Sequence, residues 1–135
     1  MSPDASTDAL VSRMLRCIRE QLPAVRGIWL FGSQARGDAR PDSDIDLAVL
    51  GPAAFDPVAV FDLGLELGVL AQRDVDLVDL RRMPVVLRKE VMTGGRLVVC
   101  QDRSACEAFV ADSMALYVAF RDELALATRE GEASR

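Results

Sequence analysis

The chain has 135 residues, half of them hydrophobic and 27% charged, with a net charge of −5. That is the balance of a folded chain with a core, sized for one domain and too short for two, and it excludes a disordered segment. An acidic surface also argues against a general nucleic-acid binder, which needs cations to neutralise phosphates, although it leaves room for a small local basic site.

The three cysteines, Cys17, Cys100 and Cys106, follow no CxxC or metal-ligand spacing. An odd count with no export signal predicts reduced, structural thiols. No apolar run reaches transmembrane length, and the N-terminal MSPDASTD does not read as a signal peptide. The expectation is one domain over residues 1–135, cytoplasmic, with no membrane or stable nucleic-acid partner. The chain has no histidine, which rules out a His-based triad or a His-built zinc site.

Taken in order, residues 1–6 are expected to be loose. Ser6 or Thr7 can cap a helix to about Leu22, with Leu10, Val11, Met14, Leu15, Ile18 and Leu22 at helical spacing and Arg13, Arg16, Arg19 and Glu20 on the wet side. Pro23 ends it. Gly27 to Phe31 reads as a strand apolar on both faces, as inside a layered domain. Residues 34–43 form a polar loop or one helical turn. Asp44 to Leu50 is a second strand, closed by Gly51-Pro52.

Asp56 or Pro57 starts a helix to about Ala71, whose expected buried stripe is Val58, Phe61, Leu65 and Leu67 or Gly68. Arg73 to Leu80 is a third strand. Pro84 begins a helix carrying Val85, Val86, Leu87, Val91 and Met92, ended by Gly94-Gly95. Arg96 to Cys100 is a fourth strand. Arg103 to about Arg129 is one long amphipathic helix with a stripe of Phe109, Ser113, Leu116, Tyr117, Phe120, Leu124 and Ala127. That stripe either covers the domain core or gives part of itself to a partner. Strands separated by helices predict an α/β (α+β) domain, with helices against a small mixed sheet.

The chemistry concentrates in LFGSQARGDARPDSDIDLAVL, residues 30–50. Gly32 after a strand permits close backbone approach, and Ser33 adds a hydroxyl and an N–H at the same place, a pairing able to hold phosphate. Asp44 and Asp46 are two residues apart in a strand, so they share a face, while Ile45, Leu47 and Val49 turn to the core. Side by side at a core edge, the two carboxylates repel without a cation between them. Magnesium suits hard oxygen ligands and phosphates. Asp76, between Val75 and Leu77, is the preferred third carboxylate, completing a two-metal arrangement. Asp74 and Asp79 compete for the role: Asp74, second in preference, shares the face of Asp76 nearer the strand start, and Asp79 lies on the opposite face. Arg36 and Arg40 can clamp phosphate oxygens. Arg73, Arg81, Arg82, Arg88 and Lys89 form a second basic group, facing a nucleotide or partner or balancing local acids.

Gly32-Ser33, ten residues, then Asp44-Ile45-Asp46 and a later Asp76 resemble the signature of the DNA-polymerase-beta-type nucleotidyltransferase superfamily. The fuller form, Phe31 to Gly37 with Ser43 to Leu47, is similar to its minimal nucleotidyltransferase (MNT) branch. The likeness covers roughly residues 8–100 as a layout. It implies the polymerase-beta-type fold, with Gly32 and Ser33 on the β- and γ-phosphates of ATP. Asp44 and Asp46 would ligate two Mg²⁺ ions, or Mn²⁺, and Asp76 would ligate one and help deprotonate the acceptor.

Relatives of this kind with other acceptors typically carry extra domains, and none is expected in this chain. The likeness therefore points to antitoxins of HEPN/MNT toxin–antitoxin pairs. It implies AMP transfer from ATP to a tyrosine of a HEPN ribonuclease toxin encoded next door, in a hetero-oligomer with that toxin. The alternatives are a small hydroxylated acceptor such as an aminoglycoside, or a non-catalytic binding module.

Overall fold

The computed structural model describes residues 3–37 and 43–133. Helix α1 (Pro3–Gln21) leads into strand β1 (Gly27–Phe31), the short helix α2 (Ser33–Arg36) and strand β2 (Ile45–Leu50). Helix α3 (Pro57–Ala71), strand β3 (Val75–Asp79) and a 3₁₀ turn (Leu80–Arg82) follow. Helix α4 (Val85–Gly94), strand β4 (Arg96–Cys100) and helix α5 (Arg103–Ala133) complete the order. None of the described helices is long and apolar enough to cross a membrane.

The expected mixed sheet is present, in the order β3-β2-β1-β4. β1 pairs antiparallel with β2 and β4, and β2 pairs parallel with β3. A parallel pair needs a long crossover, and α3 supplies it. Strand alternation then sorts the core. Ile28, Leu30, Ile45, Leu47, Val49 and Leu77 meet Met14 and Ile18 of α1 and Leu63 and Leu67 of α3. Trp29, Ala48 and Leu50 turn the other way, against Leu80, Val91 of α4, and Cys106 and Phe109 of α5. Helices therefore cover both faces, and β1 and β2 are apolar on both sides except at Asp46.

Three expectations are corrected. The first helix begins at Pro3 rather than after a cap at Ser6 or Thr7, since proline is tolerated in a first turn.

The buried stripe of α3 is Val60, Leu63, Gly64, Leu67 and Ala71, while Val58, Phe61 and Leu65 are 65%, 66% and 58% exposed. α3 is apolar almost all round, so spacing alone allowed two stripes. Its small residues decided the matter. A Cβ on Gly64 would sit 3.6 Å from Leu77 Cβ, so the glycine face lies close on β3. The charges Asp62 and Glu66, one turn apart and exposed, mark the opposite side.

The third correction concerns α5. Its stripe is buried at Phe109 and Ser113, but Leu116, Phe120 and Leu124 are exposed. A helix of 31 residues is about 45 Å long at 1.5 Å per residue. It overruns strands of five or six residues.

Much of the second basic group holds backbone. Arg81 Nε donates to the Gly51 carbonyl at 2.8 Å, and Arg82 Nη2 to that of Phe55 at 3.0 Å. Arg88 donates to the carbonyls of Met83 and Arg81 at 3.0 and 3.1 Å. The Arg81 and Arg88 guanidinium carbons each lie 5.2 Å from the Phe109 ring centre, within cation–π range. Lys89 lies 5.4 Å from the Tyr117 ring centre and 3.7 Å from Glu90. These residues anchor the loop after β2 and pin α5.

The α3 rotation gives a direct test. Leu67→Ala, at a fully buried position, is expected to cost about 2–5 kcal/mol. Leu65→Ala, on the exposed side, is expected to stay within about 0.5 kcal/mol of the parent. Urea unfolding of both variants measures the difference, and equal losses would contradict the observed orientation.

Candidate active site

The centre of the site is the close approach of β1's end to Asp46. Gly32 follows β1 with φ +71° and ψ −150°, a conformation essentially confined to glycine. A Cβ there would run into Asp46 Oδ2, and Asp46 Cγ would be 3.2 Å away. The carboxylate therefore rests in the space that Gly32 leaves empty. Ser33 opens α2, and the Arg36 N–H donates to the Gly32 carbonyl at 3.2 Å, folding the turn back on itself.

Strand register brings the carboxylates together. Asp46 pairs with Phe31 on one side and with Asp76 on the other. By alternation, Asp46 and Asp76 lie on the sheet face that α4 and α5 cover further along. Asp44 stands one residue before β2, which starts at Ile45 rather than at Asp44. Asp46 is half-buried, and Asp44 and Asp76 are exposed. Burial first, then the charges of Asp76 and Asp44, push the Asp46 carboxyl above its ordinary value, and the Arg36 guanidinium pulls it partly back. Four of the sequence-derived candidates thus act on one carboxylate: Gly32 sterically, and Asp44, Asp76 and Arg36 through charge. Arg40 lies outside the described residues.

Asp79 has a different task. It is 5% exposed, and its carboxylate accepts the Phe55 N–H at 2.7 Å and the Arg81 N–H at 3.0 Å. It clamps the loop after β2 to the end of β3. The local signal was an aspartate two residues before the Arg81 amide, a side-chain turn that starts the 3₁₀ segment. Asp74 is exposed, and its carbonyl accepts the Ile45 N–H at 3.0 Å, aligning the starts of the two parallel strands.

Among the described residues, no group of three or more His, Cys, Asp and Glu is drawn tightly enough together to hold an ion alone. The donors are nevertheless all hard carboxylate oxygens, and their mutual repulsion falls on the least exposed of them. That set fits a divalent cation whose remaining ligands come from substrate phosphates and water.

Residues 15–104 match the family model described as polymerase beta, nucleotidyltransferase. The protein adenylyltransferase MntA of Shewanella oneidensis is 38% identical over 85 residues, which span 63% of this chain and 61% of that relative. The matched stretch is thus less than two thirds of the relative's length. A crystal structure of a toxin–antitoxin with AMP-PNP aligns with a TM-score of 0.78 at 32% identity, covering 83% of this chain and 90% of the matched chain. A structure of tri-AMPylated Shewanella oneidensis HEPN toxin in complex with MNT antitoxin aligns at 0.75 and 29% identity, over 86% and 90% of the two chains.

Two outcomes follow from the carboxylates. Asp46 holds its proton more tightly folded than unfolded. Its contribution to stability is therefore intact in acid and is lost as pH rises through its raised folded value. Asp46→Asn is expected to melt a few degrees above the parent at neutral pH without metal. The gap should close as pH falls through the carboxylate range, as followed by circular dichroism. Asp79→Ala, which strands two N–H donors, is expected to lose about 2–4 kcal/mol, whereas Asp76→Asn should lose almost nothing in the same unfolding assay.

Proposed function

This chain belongs to the polymerase beta nucleotidyltransferase family, and from that premise we propose that it is a protein adenylyltransferase. It transfers AMP from ATP to a tyrosine hydroxyl of a HEPN ribonuclease toxin, releases pyrophosphate, and so serves as the antitoxin of that pair. The observation that carries this reading is the placement of Asp46 over Gly32 and beside Asp76, on a fold aligned with toxin–antitoxin structures. The use of ATP sets the work in the cytoplasm.

In this reading the Gly32-Ser33 turn holds phosphate oxygens, because its backbone comes closest to the carboxylates and Ser33 offers both a hydroxyl and an N–H. Arg36, whose charge already reaches Asp46, offsets the charge of the triphosphate. Asp44 and Asp46 would hold two Mg²⁺ ions, with Asp76 on one of them, and Mn²⁺ accepts the same oxygen set. When bound, such ions supply charge neutralisation and a more acidic acceptor hydroxyl. Asp76, exposed on the neighbouring strand, receives the acceptor's proton. The acceptor oxygen then bonds to the α-phosphorus, and the bond from that phosphorus to pyrophosphate breaks. Positioning and electrostatics do this work without a covalent nucleophile.

A protein acceptor is favoured by what the fold leaves uncovered. Val58, Phe61, Leu65 and Val69 on α3 and Leu116, Phe120 and Leu124 on α5 are exposed. Apolar surface of that extent suits a chain that works in complex with a protein, such as the toxin.

Co-expression with the neighbouring gene product, followed by ATP, Mg²⁺ and intact mass measurement, tests the reading. The neighbour is expected to gain one or more AMP units. Asp44→Asn and Asp46→Asn should lower transfer by about two orders of magnitude or more while the complex still forms. A stable complex with no mass gain would make the chain a binding module, and no complex at all would point to a small hydroxylated acceptor.

A further inference from the structure

The strongest unassigned chemistry lies at the other end of the sheet, where β4 hands over to α5. Gly27 of β1 pairs with Cys100 of β4. Directly opposed residues project from the same face, with Cβ positions about 4.5–5.5 Å apart. A Cβ on Gly27 would lie 2.6 Å from Cys106 Sγ. The Cys106 sulfur therefore fills the space that Gly27 leaves, next to the Cys100 side chain. Both cysteines line one cavity of about 360 Å³ with Trp29, Leu97 and Val110.

Their environments differ in a useful way. Cys100 is exposed and Cys106 is buried. The Cys106 thiol donates to the Arg26 carbonyl at 3.5 Å. Burial, then the charge of the neighbouring Cys100, push it up to about 11. Cys106 is thus held as a thiol and shielded from solvent, while Cys100 meets any dissolved oxidant first. Cys17 lies apart from this pair, on α1 beside Glu66.

We propose that Cys100 and Cys106 form a reversible oxidation site, in which a peroxide oxidises Cys100 and Cys106 resolves it to an intramolecular disulfide. The Cys100 sulfur attacks one peroxide oxygen and the O–O bond breaks. Water forms with the thiol proton, leaving a sulfenic acid. The Cys106 sulfur then attacks the Cys100 sulfur, the S–O bond breaks, and hydroxide leaves as water with the second thiol proton. Two thiols lose two electrons and two protons, and one peroxide becomes two waters. The bridge ties the end of β4 to the first turns of α5, three residues before Phe109. The inference is independent of nucleotide transfer.

The test uses the full chain and a Cys17→Ser variant, treated with hydrogen peroxide near equimolar amount. Trypsin cuts after Arg103, between the two cysteines, so a bridge holds two peptides together. Both proteins are expected to lose two hydrogens, yield that linked pair, revert with dithiothreitol, and melt a few degrees higher when oxidised. Cys106→Ser should instead stop at a Cys100 sulfenic acid that dimedone captures. Should that buried substitution prevent folding, Cys100→Ser, at an exposed position, carries the test. It should form no bridge and leave Cys106 unmodified. Oxidation of Cys100 to the sulfinic acid beside a free Cys106 in the full chain would overturn the proposal. So would a Cys100-linked dimer, or no reaction.

Discussion

The constraint on which the rest depends is the crowding of three carboxylates where the parallel strands begin. Asp46 belongs to a strand otherwise buried on both faces, and its charge is least free to reach water. Its tolerance has two visible sources. Gly32 removes a side chain that would collide with it, and Arg36 returns part of the lost charge balance. Without a glycine at φ +71°, the end of β1 could not approach so closely, and Asp46 would have to leave its rotamer or its register. Steric space and electrostatic strain thus meet in one residue pair.

The rest of the architecture keeps that corner in place. β2 lies between β1 and β3, so its register to each neighbour fixes what stands beside Asp46. The loop leaving β2 is held by Asp79 at the end of β3 and by Arg81 and Arg82 in the 3₁₀ turn that follows it. Those bonds lock the far ends of the two parallel strands relative to each other, and with them the alignment of Asp46 with Asp76. Arg81 and Arg88, both in reach of the Phe109 ring, extend the same hold to α5. The arginines that looked available for a nucleotide are therefore largely occupied by the fold itself. Arg36 is an arginine whose charge reaches Asp46.

How far the sequence could be read depended on contrast. α1 alternates apolar and charged positions cleanly, and its buried stripe of Val11, Met14 and Ile18 is the expected one. The Gly-Ser turn and the Asp-x-Asp strand were legible because each breaks an apolar run at a fixed place. α3 has no such contrast. With Val58, Phe61, Leu65 and Val69 beside Val60, Leu63 and Leu67, hydropathy cannot choose a face, and the small residues and the Asp62–Glu66 pair had to. On α5 the pattern was real, but it continued past the surface available to bury it.

The order of elements, the mixed α/β class, the membership of Gly32, Asp44 and Asp46 in one local unit and the helical faces with strong contrast were set by the sequence itself. These depend on dihedral preference and on periods of two and 3.6 residues, which are local properties. Tertiary structure alone decided which later aspartate stands beside Asp46 and which one clamps a loop. It also decided which side of α3 is buried, and that Cys106 lies over Gly27 next to Cys100. The physical reason is common to all four. Each depends on the register between strands, or the rotation of a helix on a sheet, and close packing across distant segments fixes both.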